Sequence, residues 1–211
     1  MRISDNVTML DIDLRGFIMH PVIIRDGEQF ALVDTGVPEG FDELEQAAER
    51  EGFSLSQLTH IILTHQDWDH VGNVRALRAR VPGIVVVAHE AEIPYITGER
   101  IARLPAEHSC PVDKSAADGD ALLGARVIHA PGHTPGHMVL LKDGVLIAGD
   151  ALGARDGKLT VPDPKYTENM RQARQSMSNV VNYGAISAVL TYHGGHVSDN
   201  VMSALAEIAN V

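Results

Sequence analysis

The chain has 211 residues, 45% of them apolar and 21% charged, the composition of an ordinary globular protein long enough to bury a sizeable core. Its formal charge of −11 works against binding to nucleic acid or anionic lipid, since both need a basic surface. The single cysteine, Cys110, leaves no internal disulfide, and the opening MRISDNVTML lacks a basic head followed by an apolar stretch, so the expected setting is the cytoplasm.

Short apolar runs alternate with stretches of helical period, which predicts a mixed α/β fold. Residues 17–25 and 29–34 read as two strands joined at Asp26-Gly27, a tight hairpin signal. Phe41, Leu44, Ala47 and Ala48 mark one face of a helix that Gly52 ends. Residues 60–64 (HIILT) form a short buried strand. Val71, Val74 and Leu77 stripe the helix that follows, Pro82-Gly83 stops it, and residues 84–88 make the next strand. Residues 98–120 carry Pro105, Pro111, Gly119 and scattered charge, and are expected as an irregular surface excursion. Residues 139–142 and 144–150 predict a second hairpin, turned at Asp143-Gly144. Met170, Ala173, Met177 and Val180 define a helix over 167–182, followed by a strand over 186–192 and a closing helix over 198–209.

The second half echoes the first. VIIRDGEQFALVDTG corresponds to VLLKDGVLIAGDALG, so that the hairpins end in Asp34 and Asp150. The later strands, IILTH and VLTYH, end in His65 and His193. Asp-Gly turns alone are common enough to coincide, but ligand-type residues at both strand ends favour an internal duplication of one β/α half within a single domain over 1–211.

Eleven histidines are the unusual feature of the composition, and their placement matters more than their number. In Thr64-His65-Gln66-Asp67-Trp68-Asp69-His70, four of seven residues can bind metal. Residues two apart in an extended segment face the same way, which puts His65, Asp67 and Asp69 on one side. A helix cap would need one such residue, not four. Further on, Ala130-Pro131-Gly132-His133-Thr134-Pro135-Gly136-His137 sets two histidines in a tightly turned loop, Gly149-Asp150 ends a strand, and His193 follows another.

This set, in this order, resembles the metallo-β-lactamase superfamily, with its T-H-x-H-x-D-H, P-G-H-T-x-G-H and G-D motifs and a terminal histidine after a strand. The resemblance covers nearly the whole chain. It implies a four-layer αββα sandwich of two similar β/α halves, with a dinuclear metal site at the edge between them. It further implies that His65, Asp67 and His133 hold one ion, that Asp69, His70 and His193 hold the other, and that Asp150 bridges them. Asp34 is similar to the family's buried aspartate that orients a ligand imidazole. One residue departs from the pattern, because Asp67 stands where the family usually has its second histidine. Two divalent ions, zinc first, remain the expected cofactors, while the added charge and harder oxygen of Asp67 favour iron or manganese more than an all-imidazole face would.

Among the other histidines, His137 is expected to brace its turn and His89 to sit at a strand-to-helix junction. His20, His60, His108, His129 and His196 have no motif around them, and Trp68 is expected to pack beneath the metal loop or, as the alternative, to stand at a pocket rim.

Two cations about 3.5–4 Å apart make hydroxide available near neutral pH. The expected reaction is therefore hydrolysis of a small ester, lactone, thioester or phosphoester, with Asp150 between the ions and Asp69 relaying a proton to the leaving group. No G-x-S-x-G pattern offers a covalent route instead. Family members that act on glutathione thioesters carry an added helical domain and flavodiiron proteins a flavin domain, and neither is expected after His193. Two alternatives stand beside the hydrolase: a di-iron redox protein, motivated by Asp67, and a binding module without turnover. Arg155, Lys158, Lys165, Tyr166 and Arg171 form a local positive excess. It is expected either to wall the pocket and attract an anionic small molecule or simply to face water.

Overall fold

The computed structural model describes residues 1–101, 103 and 105–210. The first half runs through β1 (Val7–Met9), a ribbon of β2 (Ile12–Leu14) and β3 (Phe17–Met19), and a hairpin of β4 (Val22–Asp26) and β5 (Gln29–Val33). It continues with α1 (Phe41–Arg50), β6 (His60–Leu63), α2 (Trp68–Val71), α3 (Val74–Arg80), β7 (Val85–His89), α4 (Ile93–Ile96) and β8 (Lys114–Ala116). The second half contains β9 (Ala121–Leu122), β10 (Ala125–His129), the hairpin of β11 (Met138–Lys142) and β12 (Val145–Gly149), and a ribbon of β13 (Gly153–Arg155) and β14 (Lys158–Thr160). It closes with α5 (Met170–Val180), β15 (Ala188–Thr191), β16 (Gly195–Val197) and α6 (Val201–Asn210).

Two six-stranded sheets result, ordered β1-β4-β5-β6-β7-β8 and β16-β15-β12-β11-β10-β9. Side chains of a strand alternate between faces, so a strand buried on both faces must lie between two layers. Ile24, Val33 and Ile62 of one sheet meet Val127, Leu140 and Ile147 of the other in a shared central core. Their neighbours Ile23, Leu32 and Ile61 face outward onto Leu44, Ala48, Val74 and Leu77 of α1 and α3. On the far side Val139, Leu146 and Val189 face Met177, Val180, Leu205 and Ile208 of α5 and α6. The layers are therefore helix, sheet, sheet, helix. In each half a hairpin's second strand is joined in parallel by the strand after the next helices, β5 by β6 and β12 by β15. The two Asp-terminated and two His-terminated strands of the sequence are these four.

Several sequence expectations need correction. Residues 17–25 are not one strand: His20-Pro21 interrupts them, and Phe17–Met19 turns away to pair with β2. The stripe Val71, Val74, Leu77 lies on two helices, not one. At Gly72 the chain passes so close to Gly36 O and Pro38 that a Cβ would come within 2.5 Å of backbone, while Asn73 donates to Thr35 O and Val37 O. The stretch 98–120 is not merely an excursion, because β8 extends the first sheet along β7. The short strands β9 and β16 and the ribbon β13–β14 carry too few residues for a periodic signal. No helix among the described residues is long and apolar enough to cross a membrane.

Candidate metal centre

The ligand-type residues sit where strands end. His65 and Asp67 follow β6, Asp69 and His70 lie in α2, His133 is in the β10–β11 loop, Asp150 follows β12 and His193 follows β15. Because the two sheets face each other, these ends converge on one edge. His65, His133 and Asp150 form one group whose donor atoms lie within 4.8 Å of one another, and Asp69, His70 and His193 form a second. Asp150 Oδ2 stands between them, 3.8 Å from His133 Nε2, 3.6 Å from His70 Nε2 and 3.7 Å from His193 Nε2.

Hydrogen bonding on the far side of each ring fixes which nitrogen faces the centre. Asp34 accepts from Thr64 N at 2.8 Å and from Thr64 Oγ1 at 2.7 Å, and its Oδ2 lies 2.9 Å from His70 Nδ1. His70 must then carry its proton on Nδ1. Thr64 Oγ1, its own proton given to Asp34, can only accept from His65 Nδ1 at 3.0 Å. His193 Nδ1 donates to Ile18 O at 3.0 Å. Thr167 Oγ1 donates to Asp163 O and so accepts from His133 Nδ1 at 3.4 Å. All four rings are thus left with Nε2 turned inward, and such outer partners are what orient metal-binding imidazoles.

His65 Nε2 and His70 Nε2 are buried without any hydrogen-bond partner among the described residues. A buried nitrogen lone pair left unmatched costs about 1–3 kcal/mol, unless an electron-pair acceptor lies among such atoms. The donor set of four imidazole nitrogens and three carboxylates therefore fits a pair of divalent cations.

The electrostatics point the same way. Burial opposes charge on His70, but Asp34, Asp150 and Asp69 outweigh it and raise its pKa well above the ordinary histidine value. Burial also opposes charge on Asp150, yet His70, His193 and His65 hold its carboxyl far below the usual aspartate range. Burial and the neighbouring imidazoles push His65 well down, leaving it neutral. The carboxylates that favour positive charge on buried His70 would equally favour a cation among these donors.

Asp67 occupies the N-cap position of α2, but its side chain makes no capping hydrogen bond. Instead Oδ2 lies 3.4 Å from His65 Nε2 and 3.3 Å from His133 Nε2, while Oδ1 lies 3.0 Å from Arg103 Nε. Burial disfavours its charge, but His133 and Arg103 together hold its carboxyl below the ordinary value.

Three further residues support the centre without having stood out in the sequence. Tyr192 OH donates to Asp69 O at 2.6 Å and accepts from Gly36 N at 3.1 Å, with its ring 3.8 Å from that of His70. Arg103, from the stretch read as irregular surface, donates to His133 O at 3.2 Å and to Tyr166 O. Glu92, at the start of α4, is wholly buried and accepts from Gly136 N at 2.6 Å, while its Oε2 has no well-formed hydrogen bond. Burial pushes its pKa up to about 7, against the downward pull of Thr134 and the Gly136 N–H. Only Tyr192 had a signal, its place beside His193 at the end of an apolar strand.

His137 braces as expected, its Nε2 accepting from Asp150 N at 3.2 Å and its ring stacked on His65. Gly149 allows this closeness: with φ of +50°, any Cβ there would come within 2.8 Å of Thr64 Oγ1 and 3.0 Å of His137 Nε2. His89 stacks on His129 at 4.0 Å, away from the centre. His20, His60, His108 and His196 belong to neither donor group.

A cleft of about 480 Å³ opens above the centre, lined by Asp67, Asp69, His133, Asp150 and His193 at its floor and by Phe17, Ile18, Trp68, Leu152, Pro162 and Tyr166 on its walls. Trp68 is not packed beneath the loop but takes the alternative place at the rim, 40% exposed and stacked on Phe17 at 6.1 Å. Of Arg155, Lys158, Lys165, Tyr166 and Arg171, only Tyr166 lines this cleft. Arg155 and Lys158 sit on the β13–β14 ribbon instead.

A sequence profile of the metallo-beta-lactamase superfamily matches residues 18–197. The chain is 29% identical to the probable metallo-hydrolase YflN of Bacillus subtilis (strain 168), over 86% of this chain and 81% of that protein. It is 36% identical to a hydroxyacylglutathione hydrolase of Cereibacter sphaeroides over 67% of this chain, but spans only 49% of that enzyme. In structure it is similar to a metallo-beta-lactamase family protein from Thermus thermophilus, with a TM-score of 0.78 over 98% of this chain and 79% of that one at 22% identity.

Proposed function

The chain belongs to the metallo-beta-lactamase superfamily, and from that premise we propose that it is a dinuclear metallo-hydrolase acting on a small ester, lactone or thioester with an apolar acyl portion. The observation that carries this reading is the convergence of four Nε2 atoms and three carboxylates on one strand-end edge, each ring held from behind. His65, Asp67 and His133 would hold one cation and Asp69, His70 and His193 the other, with Asp150 Oδ2 shared between them. When bound, two such ions supply Lewis-acid polarisation and lower the pKa of water towards neutrality.

The chain's own residues do the rest. Asp69, buried yet lining the cleft, is placed to take the proton of an attacking water and pass it to the leaving group. Its backbone carbonyl is held by Tyr192 OH, and its carboxylate lies 3.1 Å from His193 Nε2, the two together facing the second cation position. Phe17, Trp68, Ile18 and Leu152 offer an apolar wall on which an acyl group would exclude water. Among the described residues the lining contains no lysine or arginine, so no side-chain cation there selects an anionic substrate group, and the apolar wall is what favours an acyl ester or thioester over a phosphoester.

The test is a panel of acyl esters, lactones, acyl thioesters and phosphodiesters, run with the metal-reconstituted and the chelated protein. Metal-dependent turnover of carbonyl substrates, rising with acyl length, is expected. Iron-loaded protein that cycles in a redox titration and turns over none of the panel would instead be the redox protein that Asp67 admits.

A further inference from the structure

The two oxygens of Asp67 face different ways. Oδ2 looks at His65 and His133, and Oδ1 is paired with Arg103 in ion-pair rather than aligned hydrogen-bond geometry. The guanidinium is fixed by two further acceptors, His133 O on the opposite ligand loop and Tyr166 O on the cleft wall. It therefore joins three segments at this edge. Asp67 is largely buried, while the Arg103 side chain is 31% exposed, so the carboxylate end of the pair is sheltered and the guanidinium is partly open to water.

We propose that Arg103 turns Asp67 into a one-oxygen, charge-compensated ligand, and thereby sets which divalent cation the site prefers. This rests on the two-ion reading above. A free carboxylate can offer two oxygens and a full negative charge, which suits harder cations that accept more oxygen ligands. With Oδ1 occupied by a guanidinium, Asp67 presents one donor atom and little net charge. That is what the family's usual imidazole presents, and it suits a four-coordinate zinc ion. The shift towards iron or manganese expected from Asp67 alone is thus opposed by a residue far away in sequence. Arginine suits the task better than lysine, because its planar fork can hold the carboxylate and both carbonyls at once.

The experiment measures Zn²⁺ and Mn²⁺ dissociation constants by chelator competition on metal-free wild type, Arg103→Ala, Arg103→Lys, Asp67→His and the Arg103→Ala/Asp67→His double variant. Arg103→Ala is expected to reduce the preference for zinc over manganese by about tenfold or more, the size usual when a partner of a metal ligand is removed. Arg103→Lys should fall between it and wild type. In the Asp67→His background Arg103→Ala should leave the preference unchanged. Should Arg103→Ala not fold, as judged by melting of the metal-free protein, Arg103→Gln removes the charge while keeping a donor to the carbonyls. An unchanged preference in Arg103→Ala (or Arg103→Gln) while two ions still bind would overturn the proposal. So would an equal shift in the Asp67→His background, which would place the effect in the contacts to His133 or Tyr166. Wild type that binds fewer than two ions would bring down the two-ion reading, and this inference with it.

Discussion

Glu92 lies in neither donor group, yet it is wholly buried beside both ligand loops, which makes it a clean probe of how the centre is supported. In the unfolded chain its carboxyl loses the proton near 4.5; in the folded protein burial keeps the proton on to about 7. Between those pH values the folded state binds more protons than the unfolded one, so raising the pH favours unfolding. At about 1.4 kcal/mol per pH unit, the interval corresponds to about 3 kcal/mol. Glu92→Gln keeps the shape of the protonated side chain and cannot ionise. Urea unfolding of chelated wild type and Glu92→Gln should then show the wild type losing about 3 kcal/mol relative to the variant from about pH 4.5 to about pH 7.5, and nothing more above that. The comparison cancels the histidines that titrate in the same window, because both proteins carry them. Two parallel stability profiles across that range would refute the reasoning.

Asp34→Asn should keep the backbone, since asparagine tolerates the φ of +61° at this position, but it loses the anionic acceptor for His70 and Thr64. Metal affinity measured by chelator competition should fall about 10–100-fold, and wild-type affinity would remove Asp34 from its orienting role. Tyr192→Phe leaves Asp69 O and Gly36 N without their partner and should lower unfolding stability in urea by about 1–3 kcal/mol. Phe17→Ala should raise KM for long-chain acyl esters about tenfold, equivalent to the burial of part of a large apolar side chain. Its metal content should stay at the wild-type level; an unchanged KM would take the acyl group off this wall.

The features legible in the sequence are those with a local pattern. Asp26-Gly27 and Asp143-Gly144 announced the two hairpins, and the runs before His65 and His193 announced the parallel strands. Together they implied the facing halves that bring seven scattered ligand-type residues to one edge. Asp34 was legible for the same reason, ending the strand that corresponds to the one before Asp150. What stayed hidden depends on contacts between distant segments. Nothing around Arg103 reveals that its guanidinium spans to Asp67, His133 and Tyr166. The burial of Glu92 follows from the loop at Gly136 closing over it, not from its neighbours in α4. Phe17 was read into one strand running on to residue 25, whereas the turn at Arg15-Gly16 pairs it back along β2 and over the centre. The positive excess after Asp150 left two readings open because charge along a chain does not say which way a ribbon such as β13–β14 faces.

The number of ions that the folded protein takes up bears most directly on the shared carboxylate. Protein purified without chelator, then saturated with zinc and freed of excess, should contain two equivalents per chain by elemental analysis, and Asp150→Ala should lose both metal and activity. Saturation at one equivalent under excess metal, or two equivalents retained in Asp150→Ala, would contradict a shared carboxylate between two cations.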